Sequence, residues 1–477
     1  MISRDRHETR AALLDDQQLS EFFVERPGRL SLVGNIYKGR VENVLAGMDA
    51  AFVDIGMERN GYLYVDEAVG ADAAPGGNRK ITDLLRSGRE VMVQVTRDGM
   101  GAKGPRLTTQ IGMPGRYLVF MPGASSCGVS RRLDDAERDR LRTIGNALKP
   151  ENAGLIIRTA AEGASSEAIE RDLRFLERVW AGVERRAETV TAPTLVYKES
   201  ELSMRVVRDF LGPDFEDVVV DDEELHRRLR NYVHAVAPEL AERVVFYDGA
   251  RALFDRHGVE KEVRHALGRR VELPSGGYLV IDHTEAMTVV DVNTGRFVGK
   301  RFLEDTTLKT NLEACREIVH QLRLRDIGGI IVIDFIDMTA RANRSAVLAA
   351  LEGELARDRT KSYVVEISPL GLVEMTRQNV TRGLREVMTC QCPMCHGEGR
   401  VLSDESALVA VERRLEDMSQ ASSTPGLRVE VHPRMLALLS AGRPSRLERL
   451  ERAAGHFVIL VPADESVALD HAAVVPD

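Results

Sequence analysis

Two stretches of this sequence carry carboxylates where chemistry could use them. In Met287-Thr288-Val289-Val290-Asp291-Val292-Asn293 the β-branched run predicts a strand, with Asp291 and Asn293 on the same side near its carboxyl end. Asp334 closes a second β-branched run, residues 330–333, expected to be a strand buried on both faces. Residues 294–329 between them hold one clear helix and can place the two strands side by side. Two carboxylates at neighbouring strand ends, in the crevice where α/β sheets bind ligands, suit a hard oxygen-seeking cation such as Mg²⁺. Such an ion keeps several waters, one of which can become a nucleophile, while the metal offsets charge building on a phosphoryl group. Asn293 would hold the attacked phosphate or a water. A strand-end Asp in other chains commonly caps a turn or helix, and Asp337 is assigned that role.

The five cysteines are Cys127, Cys315, Cys390, Cys392 and Cys395. An odd count, three of them crowded into residues 390–395, points to metal chemistry rather than a disulfide framework. Cys392-Pro393-Met394-Cys395-His396-Gly397-Glu398-Gly399 has the spacing and glycines of a zinc knuckle. One C-x-x-C supplies two ligands, whereas a closed site needs four. Either Cys390 and His396 join in, or a second chain brings the other half. A redox role would need a thioredoxin-like βαβ context, which is not read around this motif.

Residues 35–110 read as short strands separated by turns, glycines such as Gly47, Gly56, Gly76 and Gly77 among them, which predicts a small barrel. Five-stranded barrels of the OB type bind single strands by stacking bases on aromatics beside a basic track. Phe52 and Tyr62 supply rings near strand positions, and Lys38, Arg40 and Lys103 supply charge. Further on, Arg158-Thr159 follows a predicted strand at 154–157. A guanidinium fork beside a hydroxyl can hold a terminal phosphate.

The elements that must position these residues follow from periodicity. Ala11–Leu14 and Phe22–Val24 flank polar residues 15–18 as a hairpin. Ile169, Leu173, Leu176, Trp180 and Val183 line one face of a helix over 166–188. From residue 271 a hairpin, then strands at 288–292, 330–333 and 362–367 alternating with helices at 310–325 and 341–357, predict a parallel or mixed α/β sheet. Leu312, Cys315, Ile318, Val319 and Leu322 share one face of the first of these helices. After a linker at 419–426, the chain ends as strand 427–431, helix 434–453 and strand 457–461, a small βαβ-type unit. The net charge of −9 excludes a surface that is basic throughout but not a local basic track. No apolar run approaches the roughly 20 residues of a membrane span. The polar start Met1-Ile2-Ser3-Arg4-Asp5 does not read as a signal peptide, so the cytoplasm is expected.

As an ordered set these residues resemble the ribonuclease E/G family of bacterial endoribonucleases. The resemblance runs from Asn35-Ile36-Tyr37-Lys38-Gly39 through Ser130-Arg131-Arg132 and Arg158-Thr159-Ala160 to Asp291-Val292-Asn293, Ile333-Asp334-Phe335-Ile336-Asp337-Met338 and Cys392-Pro393-Met394-Cys395. It implies a multidomain α+β and α/β chain: an RNase H-like domain (1–34 and 203–266) with an inserted S1 barrel (35–110), a 5′-sensor domain (111–202), a DNase I-like catalytic domain (267–388), a zinc link (389–403) and a small C-terminal domain (404–477). It implies Mg²⁺ on Asp291 and Asp334 with Asn293 assisting. Water would attack single-stranded, AU-rich RNA and leave a 3′-hydroxyl and a 5′-phosphate, in rRNA and tRNA processing and mRNA decay. The matched RNA-binding positions are Phe52, Tyr62 and Lys103. The matched 5′-monophosphate pocket is Gly115, Val119, Arg158, Thr159 and Lys361. The resemblance puts an Arg of another member at the last of these; the lysine keeps the charge but loses the planar fork. Cys392 and Cys395 would share one zinc between two subunits, giving a homodimer or homotetramer, and the long scaffold tail of a degradosome is not expected. The rival classes are a non-catalytic S1-type RNA-binding protein and a zinc-linked assembly scaffold.

Overall fold

The computed structural model describes residues 1–28, 31–68, 80–99, 103–212, 214–295, 303–368, 370–378, 383–422, 424 and 426–475. The expected turn at Gly76 and Gly77 lies outside them. The chain divides into two compact units, Met1–Val387 and Met388–Asp477.

Strands β1 (Ile2–Arg4), β2 (Thr9–Asp15) and β3 (Gln18–Glu25) form an antiparallel meander. The expected hairpin turn is Asp16-Gln17, both at positive φ (46° and 68°), the backbone that two-residue turns of twisted strands require. Strands β4 (Ile36–Leu45), β5 (Ala50–Asp54), β6 (Gly61–Tyr64), β7 (Glu90–Arg97) and β8 (Arg106–Thr108) pair in the order β4-β5-β6-β8-β7, and β7 returns to β4. The result is a closed five-stranded barrel of S1 type around Val41, Val53, Leu63, Val93, Val95 and Leu107. Next, β9 (Met113–Pro114), β10 (Leu118–Pro122), β11 (Cys127–Val129) and β12 (Ala153–Ile157) form a four-stranded sheet. The predicted helix, Ser166–Thr189, is capped by Ser165 and buries Ile169, Leu173, Leu176 and Val183 in the same core as this sheet. Strand β13 (Thr194–Tyr197) returns to β4, and β14 (Val218–Val220) and β15 (Val244–Phe246) extend the first sheet to the order β15-β14-β1-β2-β3.

The sheet that carries the carboxylates contains β16 (Arg270–Glu272), β17 (Tyr278–His283), β18 (Met287–Asn293), β19 (Gly329–Asp334), β20 (Ser362–Ile367) and β21 (Leu372–Arg377), in the order β16-β17-β18-β19-β21-β20. The β18–β19 pair is parallel and the other four pairs are antiparallel, so the sheet is mixed. Helices Leu303–Leu324 and Arg341–Leu355 share a core with one face: Leu279, Ile281, Val290, Val292, Ile331, Ile333, Val373 and Met375 pack with Cys315, Ile318, Leu322, Val347 and Leu351. The structure differs from expectation at three points. Strand β19 is not buried on both faces: Ile331 and Ile333 are fully buried, but Ile330 is 48% exposed, because the helices cover one side only. Strand β21, which the sequence reading missed, slots between β19 and β20. Leu312 also falls off the buried helix face.

In the second unit β22 (Gly426–Val431) and β23 (Phe457–Pro462) are parallel, and β24 (Ala472–Val474) adds an antiparallel edge. The expected single helix is two, Pro433–Ser440 and Arg446–Ala454. Gly442, at φ 86°, and Pro444 break it, and Ser445 starts the second helix with a capping box. Helix Asp404–Ala421 runs into the expected linker and buries Ser419, while residues 423 and 425 of that linker lie outside the described residues.

Ile333 precedes Asp334 and is fully buried. Ile333→Ala should cost about 2–5 kcal/mol in denaturant unfolding. A loss below about 1 kcal/mol would show that this helix-covered face is not the core.

Candidate active site

Alternation along β18 buries Val290 and Val292 and turns Asp291 and Asn293 to the open face of the sheet. On β19 the same alternation buries Ile331 and Ile333 and turns Asp334 out. In the parallel register Asp291 and Asp334 are direct partners, so their Cα atoms stand about one strand spacing apart, near 5 Å. Asn293 donates from Nδ2 to Asp291 Oδ2 at 2.8 Å, which joins the third residue to the pair. Burial, then the charges of Asp291 and Asp337, push the Asp334 carboxyl above the ordinary carboxylate range. Like charges brought together in this way are relieved by a divalent cation. Among the described residues no group of three or more His, Cys, Asp or Glu is placed to hold a metal. The groups that could hold a cation here are two carboxylates and a carboxamide, a set that suits an ion that retains much of its water. Asp337 does not cap the following helix, whose N-cap is Ala340. Its charge acts on Asp334, a role the sequence reading did not give it.

The residues expected around a terminal phosphate also converge in part. Arg158 follows β12. Its Nη1 donates to the Gly115 carbonyl at 2.6 Å, and its Nη2 lies 2.7 Å from Asp209 Oδ1. Thr159 Oγ1 and Ser130 Oγ share a hydrogen bond of 2.8 Å. Val119, half-buried on β10, is paired with Pro114 and Ile156. Gly115 has a specific reason to be glycine: a Cβ there would sit 2.5 Å from Asp172 Oδ2. Asp172 is buried and accepts hydrogen bonds from the backbone N–H of Tyr117 (2.8 Å) and Leu118 (3.3 Å), which fixes the 115–118 turn. Burial pushes its carboxyl up while these N–H groups pull it down. The sequence signal for Asp172 was present: it lies on the apolar face of its helix, between Ile169 and Leu173. Lys361 is exposed. Its segment reaches this region through Arg132, whose Nη2 donates to the carbonyls of Asp358 (2.7 Å) and Arg359 (2.6 Å).

On the barrel, Phe52 and Tyr62 are cross-strand partners, both half-buried, with ring centroids 5.9 Å apart. Lys103 is exposed, and so is Arg106, the parallel register partner of Tyr62, which sequence reasoning missed. Lys38 and Arg40 do not serve this surface. Lys38 donates to the carbonyls of Ala187 and Val190 and pairs with Glu90, and Arg40 donates to Ala192. In the second unit, Cys392 and Cys395 sit in a turn closed by His396 N–H to Cys392 O and Glu398 N–H to Cys395 O, each 2.8 Å, with His396, Gly397 and Gly399 at positive φ. Backbone N–H groups of Cys395 and Met394 draw the exposed Cys392 thiol below its usual range, toward the thiolate a metal needs. Among the described residues no group of three or more His, Cys, Asp or Glu is gathered around them.

A closed barrel, several mixed α/β layers and a pair of facing carboxylates on an open sheet describe a multidomain α+β protein of the nuclease class. The chain belongs to the Ribonuclease E/G family, whose model matches residues 112–380. Residues 391–475 match the family's thioredoxin-like domain. The chain is 42% identical over 452 residues to Ribonuclease G of Salmonella typhimurium (strain SL1344), covering 93% of this chain and 92% of that protein. It is 43% identical over 417 residues to Ribonuclease G of Haemophilus influenzae, covering 86% and 85%. To Ribonuclease E of Escherichia coli (strain K12) it is 37% identical over 466 residues, 96% of this chain but 44% of that protein. The thioredoxin-like match corrects the view that this context is missing. Even so, Cys392 and Cys395 precede the βαβ unit β22–β23 rather than opening a helix within it.

Removing one charge of the pair tests the facing geometry. In metal-free protein, Asp291→Asn should lower the Asp334 titration midpoint, read by carboxyl carbon NMR. An unchanged midpoint would mean that the two side chains do not face each other.

Proposed function

We propose that this chain is an endoribonuclease that cleaves single-stranded, AU-rich RNA at the open face of β18 and β19 and responds to a 5′-monophosphate. The carrying observation is the register pairing of Asp291 with Asp334 in a member of a ribonuclease family. Asp291 and Asp334 are the residues that would hold Mg²⁺. When bound, this ion supplies Lewis-acid activation of water and offsets charge on the attacked phosphodiester. The remaining work falls to the chain itself. Asn293 orients Asp291 through the hydrogen bond from its carboxamide Nδ2. The raised Asp334 must lose its proton before it can serve as a ligand, so activity falls toward acid pH. The cleavage leaves a 3′-hydroxyl and a 5′-phosphate, and its setting is rRNA and tRNA processing and mRNA decay in the cytoplasm.

The surrounding roles follow the sheets. The barrel of residues 35–110 presents Phe52, Tyr62 and Lys103 to RNA, with Arg106 beside them. Residues 111–202 form the 5′-sensor, where Arg158, Thr159, Gly115, Val119 and Lys361 receive the terminal phosphate. Residues 267–388 form the DNase I-like catalytic domain. Residues 1–34 and 203–266 together form the RNase H-like support on which the barrel is inserted. Cys392 and Cys395, in a link of 389–403 ahead of the small domain 404–477, provide half of a tetrahedral zinc site that a second copy completes, giving a homodimer or homotetramer.

Two experiments test this reading. On a short single-stranded RNA, cleavage should need Mg²⁺ and stop with EDTA, and Asp291→Asn should bind RNA but cut at least about 100-fold more slowly. Equal rates would remove Asp291 from the mechanism, and binding without cleavage by the wild type would favour a pure RNA-binding protein. For the zinc, metal analysis with native mass should give about one ion per two chains, lost together with the dimer in Cys392→Ser. A zinc-loaded monomer would contradict sharing.

A further inference from the structure

The arginine assigned to the 5′-phosphate is already engaged by a carboxylate. Besides Gly115 O, its guanidinium holds Asp209 Oδ1 at 2.7 Å. Asp209 lies at the end of helix Leu202–Phe210 and is gripped from the other side by buried Arg208, whose Nε lies 3.2 Å from Oδ1 and whose Nη2 lies 3.1 Å from Oδ2. Arg208 also pairs with buried Glu199 at 2.9 Å, and the Glu199 N–H donates to Asn35 Oδ1 at 2.8 Å, so Asp209 is held on a fixed base. Burial alone would raise the Asp209 carboxyl, but Arg208 and Arg158 outweigh it and hold it below the ordinary carboxylate range. Arg158, Arg208, Asp209 and Glu199 thus sum to zero charge. Arg359, whose Nη1 donates to the Asp209 carbonyl at 2.8 Å, adds positive charge beside them.

We propose that Asp209 is a resident anionic competitor at the 5′-phosphate site: its carboxylate occupies Arg158 and sets how weakly a terminal phosphate monoester is held. The inference rests on the reading of Arg158 as the phosphate-binding residue. A dianionic phosphate monoester approaching Arg158 must share Nη2 with a fixed negative charge, or turn the guanidinium away from it. Either course reduces the gain from a charge-assisted hydrogen bond. The site then favours a substrate end that binds and releases within a turnover. Asp209 acts on the phosphate only through Arg158, so removing its charge should matter only where Arg158 is present.

The test compares kcat/KM on one RNA sequence carrying either a 5′-monophosphate or a 5′-hydroxyl. Asp209→Asn keeps the shape and one acceptor oxygen and removes the charge. It should raise the ratio of phosphorylated to unphosphorylated kcat/KM by about three- to tenfold, chiefly through a lower KM for the phosphorylated RNA. In an Arg158→Ala background the same substitution should leave the ratio unchanged. Melting curves confirm that each variant is folded, and if Asp209→Asn is not, Asp209→Ser is read in the same way. A ratio that stays level or falls in Asp209→Asn, or a rise that persists without Arg158, would overturn the inference while leaving the sensor reading in place. A wild type that cuts both RNAs equally would remove that reading and the inference with it.

Discussion

The register between β18 and β19 is the constraint on which the site depends. Side chains alternate along a strand, so a slip of one residue would exchange inward and outward sets. Val290, Val292, Ile331 and Ile333 are each at most 5% exposed beneath the two helices, and each is worth about 1.5–3 kcal/mol of burial. That cost excludes the slipped pairing. The same cost forces Asp291 and Asp334 outward and opposite one another, where burial first, and then the charges of Asp291 and Asp337, raise Asp334. The hydrophobic core thus assembles a charge arrangement that is unfavourable by itself and that a cation would relieve.

A second set of buried charges ties other parts of the first unit to this sheet. Arg377, at the end of β21, is buried against Asp358 at 2.7 Å and Asp326 at 3.0 Å. Asp326, at φ 47°, marks the turn between helix Leu303–Leu324 and β19. Asp358 belongs to the segment that Arg132 holds through its carbonyls, and Arg359 of that segment donates to Asp209 O at 2.8 Å. The residues around Arg158 and the strand that carries Asp334 are therefore connected through ion pairs and backbone hydrogen bonds. Asp172 shows the same economy on a smaller scale, since its buried carboxylate fixes a turn and leaves room only for a glycine at 115.

Much of this was legible in the residues. Asp291, Asn293 and Asp334 could be picked out because β-branched runs mark strands, and a period of two assigns their faces. The two-residue hairpin turn and the glycine-punctuated barrel were legible for similar reasons, since turn chemistry is local. What failed was non-local. Residues 372–377 carry a strand whose place between β19 and β20 depends on pairing across the sheet. The exposure of Ile330 depends on which face the helices choose. Lys38 and Arg40 look like a basic track in sequence, yet the fold turns them onto carbonyls at the end of helix Ser166–Thr189. Asp209 carries no sequence signal at all, because its meaning comes from Arg158, about fifty positions earlier. The break at Gly442 and Pro444 is local, and its turn residues are readable in the sequence.

The most direct measurement of the central claim is anomalous diffraction from crystals equilibrated with Mn²⁺ in place of Mg²⁺. The account predicts a single ion on the open face of β18 and β19, with a carboxylate oxygen from each of Asp291 and Asp334 about 2 Å away. An ion bound by only one of the two, or carboxylates aimed into separate clefts more than about 8 Å apart, a span no single ion bridges at such bond lengths, would contradict it.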